Sequence, residues 1–386
     1  MLASFDFDRV IDRRASDSNK WRKFGPDVLP LWVADMDFPS PPAVLAALQA
    51  RVAHGFFGYL TEHPELPAVV AERVTKRYGW RVSPEAVVLI PGVNVANNFA
   101  CGALAAPGEG LLLQTPAYPP ILRATSNLGR VQERHVLDRD AAGRYVVDLD
   151  AFTAAITPRT KAFVLCNPHN PVGRVYSRTE LEGMAAACLK RDLWIVADEI
   201  HCDLLLDGRT HVPMASLSPE VEARTITFMA PSKTFNLPGL KCAVAIVPNA
   251  TLRERLTTAM GDLMSKPNIL GHTAAVAAYR EGDEWLEALL RYLAANRDAL
   301  VEYVRTKLPG VTVAPAEGTY LAWLDCRGAR IPGGDPYTFF LERARVAFND
   351  GKLFGPGGDG FVRLNFGCPR SLLTEGLERM RRALAA

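Results

Sequence analysis

Phe228-Met229-Ala230-Pro231-Ser232-Lys233-Thr234-Phe235-Asn236-Leu237-Pro238-Gly239 places a lysine directly after an apolar run, Thr225-Ile226-Thr227-Phe228-Met229. That run reads as a buried strand, so Lys233 leaves the end of a sheet in a partly desolvated place. Burial disfavours the ammonium form and lowers the pKa, which makes the amine a better nucleophile. Amines in this setting form Schiff bases with carbonyl compounds. A lone loop lysine is more often solvent-exposed, so the reading needs support from the rest of the chain.

Working outward, apolar runs of strand length recur at Val87–Ile90, Leu111–Gln114, Val131–Val136, Ala162–Cys166, Leu193–Ala197 and Ala243–Val247. Amphipathic stretches such as Asn94–Ala105 and Thr179–Lys190 separate several of them. Strands without polar alternation, spaced by helices, predict an α/β fold with a mostly parallel, doubly wound sheet. The order of its strands cannot be read this way. A long helical pattern over Asp283–Leu308 leads into a smaller α+β domain, with strands at Thr319–Leu324 and Phe361–Asn365 and a closing helix from Ser371. Residues 46–284 are assigned to the large domain, and 1–45 with 285–386 to an N-terminal arm and the small domain. The arm, rich in charge and proline, is expected to cross the surface before a helix opened by Pro41-Pro42 and a second helix over 64–79.

Composition narrows the function. The 386 residues carry 44 Lys plus Arg against 42 Asp plus Glu, a balance that gives no reason to expect nucleic acid. No apolar run is long enough to cross a bilayer and no signal-peptide core is evident, so a cytoplasmic protein is expected. The seven cysteines form no Cys-x-x-Cys pair and are expected as buried, reduced thiols. His201, Cys202, Asp203 and His211 lack metal-ligand spacing, so no metal is expected. Gly355-Pro356-Gly357-Gly358-Asp359-Gly360 matches a dinucleotide-binding pattern but precedes a strand rather than a helix, and reads as a loop. The tryptophans read as core or interface packing.

In open α/β sheets ligands gather at the carboxyl ends of the strands. Those ends carry Pro91-Gly92-Val93-Asn94, Thr115-Pro116-Ala117-Tyr118, Asn167-Pro168-His169-Asn170, Asp198-Glu199-Ile200-His201 and Ser232-Lys233. Each has an ordinary explanation as a turn or cap. Together they suit one ligand with an aromatic ring, a protonated nitrogen, a phosphate and an aldehyde.

These motifs, with Phe7–Arg14 and Leu31–Phe38 of the arm and Phe361–Phe366, resemble the fold-type I pyridoxal-phosphate enzymes of the class I/II aminotransferase superfamily. Within it the chain is similar to the MalY/PatB cystathionine β-lyase (C–S lyase) group. The resemblance covers essentially the whole chain. It implies pyridoxal 5′-phosphate held by Lys233 through a Schiff base, with Asp198 on the pyridine nitrogen and Asn170 on the phenolic oxygen. His201 would stand close behind, and Tyr118 would stack on the ring. Backbone groups of Gly92, Val93 and Asn94 would join Ser232 and Lys241 around the phosphate. Tyr59 would reach it from a neighbouring subunit, so a homodimer with shared sites is implied. Arg363, with Ala34 and Asn170, would bind the substrate carboxylate. Lys233 and Tyr118 would be the catalytic side chains.

Two positions depart from the family pattern. Lys241 stands where many aminotransferases have an arginine, and Asn94 stands where lyases of this group often have an apolar residue. Asn94 is expected to cap its helix, with substrate contact as the alternative. The implied activity is β-elimination from cystathionine or cysteine S-conjugates to thiol, pyruvate and ammonia. Transamination of an amino acid is the runner-up, with decarboxylation or oxidative deamination weaker. A regulatory protein that kept the fold is a third class, disfavoured by the intact Lys233, Asp198, Asn170 and Arg363.

Overall fold

All seven apolar runs of the large domain become strands of one sheet. In the computed structural model, which describes residues 5–61 and 64–386, they are β1 (Val87–Ile90), β2 (Gly110–Thr115), β3 (Val131–Val136), β4 (Thr160–Cys166), β5 (Trp194–Asp198), β6 (Thr225–Met229) and β7 (Ala243–Ile246). Their order across the sheet is β1-β7-β6-β5-β4-β2-β3. Four neighbouring pairings are parallel, as the sequence predicts: β6 through β3 run in one direction, and only β7 runs against both its neighbours, β6 and β1. The physical reason is the connection. The parallel strands are mostly joined through crossover helices, whereas β6 returns to β7 through two single-turn helices, Pro231–Thr234 and Pro238–Leu240.

Helices cover the sheet because their inward faces are small and apolar. The helix Val93–Leu104 buries Ala96, Ala100, Cys101 and Leu104 against strand residues Ile90, Leu111, Val164 and Val196. The helix Arg178–Lys190 starts at a capping box, with Ser177 accepting from the Glu180 N–H and Glu180 reaching back to the Ser177 N–H. Because β1, β2, β4, β5 and β6 share one direction, their carboxyl ends open on one edge of the sheet.

The 25-residue helix Asp283–Lys307 leads to a four-stranded antiparallel sheet formed by β8 (Thr312–Val313), β9 (Leu321–Asp325), β10 (Asn349–Asp350) and β11 (Phe361–Asn365), in the order β8-β9-β11-β10. The closing helix runs Arg370–Ala385. The glycine-rich stretch 355–360 is the loop before β11, as expected. All seven cysteines are buried and unpaired. Five of the six tryptophans are buried, and Trp194 packs against the core from a half-buried position.

The arm does not cross the surface. Leu31, Trp32, Ala34, Met36 and Phe38 are buried. Leu29–Pro30 pairs in parallel with Val346–Ala347, and the Leu31 carbonyl accepts the Asn365 N–H at 2.9 Å. The charges that suggested exposure are satisfied internally. Asp37 accepts from Lys20 Nζ (2.7 Å), Trp21 Nε1 (2.8 Å) and Arg13 (3.1 Å), and Arg13 also pairs with Asp35 at 3.1 Å. A buried carboxylate requires such partners, and these three supply them.

Candidate active site

The carboxyl ends of the parallel strands enclose a cavity of about 390 Å³. Its wall contains eleven of the thirteen expected site residues: Ala34, Gly92, Val93, Asn94, Tyr118, Asn170, Asp198, His201, Ser232, Lys233 and Lys241. The arm supplies Ala34, the helix after β1 supplies Gly92 to Asn94, and the loops after β2, β4, β5 and β6 supply the rest.

Lys233 sits on the one-turn helix after β6 and donates from Nζ to the Ala34 carbonyl at 2.7 Å. Burial, reinforced by the nearby Arg363 charge, lowers its pKa to about 8 against the opposing pull of Asp35 and Asp198. Asp198 ends β5, is buried, and accepts a hydrogen bond from the Ile200 N–H at 3.2 Å. Burial raises its pKa to about 6, with Glu199 adding to the effect. No ion pair to Asp198 occurs among the described residues, so a buried acid faces the cavity with Lys233 near it but in no direct ion pair. His201 is buried, its Nδ1 meets no hydrogen-bond partner, and burial with the Lys233 and Arg363 charges drives it to about 3, so the ring is neutral.

The opposite end of the cavity is built for an anion. The helix Val93–Leu104 has no side-chain cap, and its first bond runs from the Ala96 N–H to the Gly92 carbonyl. The preceding N–H groups of its first turn therefore face the opening with the positive end of the helix dipole. A Cβ built on Gly92 would meet no heavy atom within 4 Å, so the side of this turn is open. Ser232 and Lys241 line the same cavity, Lys241 exposed and in the left-handed backbone region.

Two expected residues lie off the wall. Tyr59 is fully exposed on the segment after the helix Pro42–His54, beside exposed Phe56 and Phe57. Arg363, on β11, is buried one contact behind Asn170, donating from Nη1 to its Oδ1 at 2.8 Å. Asn94 corrects another expectation: it does not cap the helix, whose N-cap is Gly92. Its exposed side chain instead donates to the Tyr118 hydroxyl at 3.4 Å, across the mouth of the cavity. The sequence reading missed Asn349, which accepts from Arg363 Nη2 at 2.6 Å, and Tyr320, buried edge-on against His201. It also missed Asn236, which bonds Met36 and Phe38 of the arm. His211, raised as a metal candidate, bonds Glu199 in the core at 2.7 Å.

The family model for class I and II aminotransferases matches residues 26–380. The chain belongs to that family. It is 37% identical to the cystathionine beta-lyase PatB of Bacillus subtilis, over 98% of this chain and all of that one. It superposes on the crystal structure of OvoB with a TM-score of 0.94 at 43% identity, covering 99% of this chain and 100% of that chain. Cystalysin from Treponema denticola, whose crystal structure contains a pyridoxal 5′-phosphate cofactor, matches with a TM-score of 0.94 at 32% identity and 99% coverage of both chains. The mostly parallel sheet with its smaller second sheet is thus the fold of this aminotransferase family. No helix among the described residues is long and apolar enough to cross a membrane.

Proposed function

We propose that the protein is a pyridoxal-phosphate-dependent C–S β-lyase, acting on cystathionine or cysteine S-conjugates to release a thiol, pyruvate and ammonia. The observation that carries the reading is one cavity holding an amine lowered to about 8, a buried acid without an ion-pair partner, and an uncapped helix N-terminus. Those groups fit the aldehyde, ring nitrogen and phosphate of this cofactor. Its bound ring supplies an electron sink for the negative charge left when Cα loses a proton. The full-length likeness to PatB and cystalysin supports elimination as the outcome.

In this reading Asp198 would hold a proton on the ring nitrogen, and Asn170, with His201, would meet the phenolic oxygen. Tyr118 would pack against the ring. Ser232, Lys241 and the backbone N–H groups of Gly92, Val93 and Asn94 would hold the phosphate. Arg363, aided by Asn170 and Ala34, orients the substrate carboxylate. Lys233 removes the Cα proton, and its lowered pKa leaves a useful fraction unprotonated near neutrality. The thiolate then leaves Cβ with the bonding electrons and is protonated, and water completes release of pyruvate and ammonia.

The division into a large domain (46–284) and an arm with small domain (1–45 and 285–386) belongs to the same proposal, supported by pairing of the arm with Val346–Ala347. So does a homodimer in which Tyr59 serves the neighbouring site, supported by exposure of Phe56, Phe57 and Tyr59. A cytoplasmic setting agrees with seven unpaired thiols. The test is to supply purified holoenzyme with L-cystathionine and S-alkyl cysteines and measure pyruvate and thiol. Equal amounts of both, lost in Lys233→Ala, are expected. Absence of both, with 2-oxo acid formed only when a second 2-oxo acid is added, would replace the lyase by a transaminase.

A further inference from the structure

Arg363 is held by uncharged groups alone. Of its five N–H bonds three are engaged: Nη1 with Asn170 Oδ1 at 2.8 Å, and Nη2 with Asn349 Oδ1 at 2.6 Å and the Trp32 carbonyl at 3.3 Å. Nε is buried and meets no acceptor. The ring of Phe354 lies 5.0 Å from the guanidinium carbon. No ion pair to this arginine occurs among the described residues, unlike buried Arg73, Arg174 and Arg297, each of which has a carboxylate. A buried cation without a counter-charge is costly, and its pKa is correspondingly lowered to about 10 by burial.

Asn349 is placed for this contact by the sheet. It lies directly across from Arg363 in the antiparallel pairing of β10 with β11, so both side chains project from the same face. Its short bond lies on the opposite guanidinium nitrogen from the Asn170 bond, and together they fix the plane of the fork. Neither neutralises it. An aspartate at 349 would keep the shape and the hydrogen bond while filling the charge vacancy.

We propose that Asn349 is the positioning residue that sets Arg363 for the substrate carboxylate, and that its uncharged amide keeps this arginine available to an external anion. The inference deepens the proposed function and rests on its assignment of Arg363 to carboxylate binding. The role is electrostatic as well as geometric, and that gives it a signature. If Asn349 only held structure, Asp, which has the same shape, would be milder than Ala. If its neutrality matters, Asp is the worse replacement, because its carboxylate competes with the substrate for the same cation.

The experiment titrates holoenzyme with L-alanine and, separately, L-alaninamide, following the absorption of the Lys233-bound cofactor. Neither ligand has a leaving group, and the two differ only in the carboxylate. Wild type is expected to favour L-alanine. Asn349→Ala should weaken L-alanine about tenfold and Asn349→Asp about 100-fold, with L-alaninamide changed less than about threefold in both, as expected for losing one charge-assisted contact or pairing the charge internally. An unshifted cofactor band in each variant verifies an intact site. Asn349→Asp milder than Asn349→Ala, equal losses for both ligands, or no preference by wild type would each overturn the proposal. Failure of wild type to eliminate thiol from cysteine conjugates, with this titration as expected, would sink the lyase reading and leave the role of Asn349 standing.

Discussion

Asp198 works against the stability of the protein that carries it. Its carboxylate is buried with one backbone N–H as donor and no ion-pair partner, and burial raises its pKa to about 6 from 3.8. A raised carboxylate pKa means that the native state holds its proton over a pH range where the unfolded chain has lost it. The penalty is absent below about pH 4, grows as pH rises to about 6, and is complete above that. Asp198→Asn should therefore stabilise the cofactor-free protein at pH 7.5 by roughly 2–3 kcal/mol, with the gain fading below pH 5. Urea unfolding at the two pH values measures this, and equal stability of the two proteins at pH 7.5 would refute it. If the cofactor binds as proposed, the sign should reverse, because its ring nitrogen would give Asp198 a cationic partner. Lys233 gives a second residue-level outcome. Its neutral amine accumulates as pH rises through about 8, so in cofactor-free protein an acylating reagent should label it along a curve centred there. A curve centred near 10, the ordinary lysine range, would contradict the desolvated environment. These groups were legible in the sequence because each ends an apolar run, and a strand end fixes where its next residues point. Arg363 and Asn349 were less so: their relation depends on a pairing register between β10 and β11 that local sequence does not encode.

The seven large-sheet strands could be found because burial on both faces removes the polar alternation that would blur them. Their order could not, since it is set by which way each connection crosses the sheet. The arm was misjudged for a different reason. Asp35, Asp37, Lys20 and Arg13 look like surface charges one at a time, and only their mutual pairing makes burial tolerable. What holds this element over Lys233 is a pair of asparagines. Asn236 accepts from the Met36 N–H (3.1 Å) and donates to the Met36 and Phe38 carbonyls (3.0 and 2.8 Å), while Asn365 donates to the Val33 and Asp35 carbonyls at 2.7 and 2.9 Å. Between those anchors lies Ala34, whose carbonyl receives Lys233. Asn236 also has φ +58°, a conformation that asparagine tolerates and alanine resists. Asn236→Ala should lose about 2–4 kcal/mol of stability from the three bonds and the backbone together. Asn236→Gly removes the bonds without the steric conflict and should unfold at an intermediate denaturant concentration. Both variants should become more sensitive to proteolysis within 31–38. Wild-type resistance there, with a normal unfolding midpoint, would show that the clamp carries no weight.

At the scale of the molecule, the expected site residue that lies off the cavity wall and in solvent is Tyr59, fully exposed beside exposed Phe56 and Phe57. An exposed aromatic group of this kind marks an interaction surface more often than a solvated one. The proposed twofold dimer would use it at the neighbouring cavity, and that arrangement has a consequence no single-chain site can mimic. In that arrangement Lys233→Ala would remove the base from its own chain, and Tyr59→Ala would remove a phosphate contact from the other chain's site. In a mixed dimer both defects then fall on one cavity and the second cavity is intact. Mixing the two inactive or weakened variants in equal amounts, after unfolding and refolding together with cofactor, should recover about a quarter of the wild-type elimination rate plus about a quarter of the Tyr59→Ala rate, because half the dimers are mixed, each with one good site, and a quarter are Tyr59→Ala homodimers. If Tyr59 served its own chain, each cavity would keep one defect and the mixture would show only the mean of the two variants. The measurement thus separates a shared site from a self-contained one once Tyr59→Ala alone is impaired, since a fully active Tyr59→Ala would give about one half of the wild-type rate in either case.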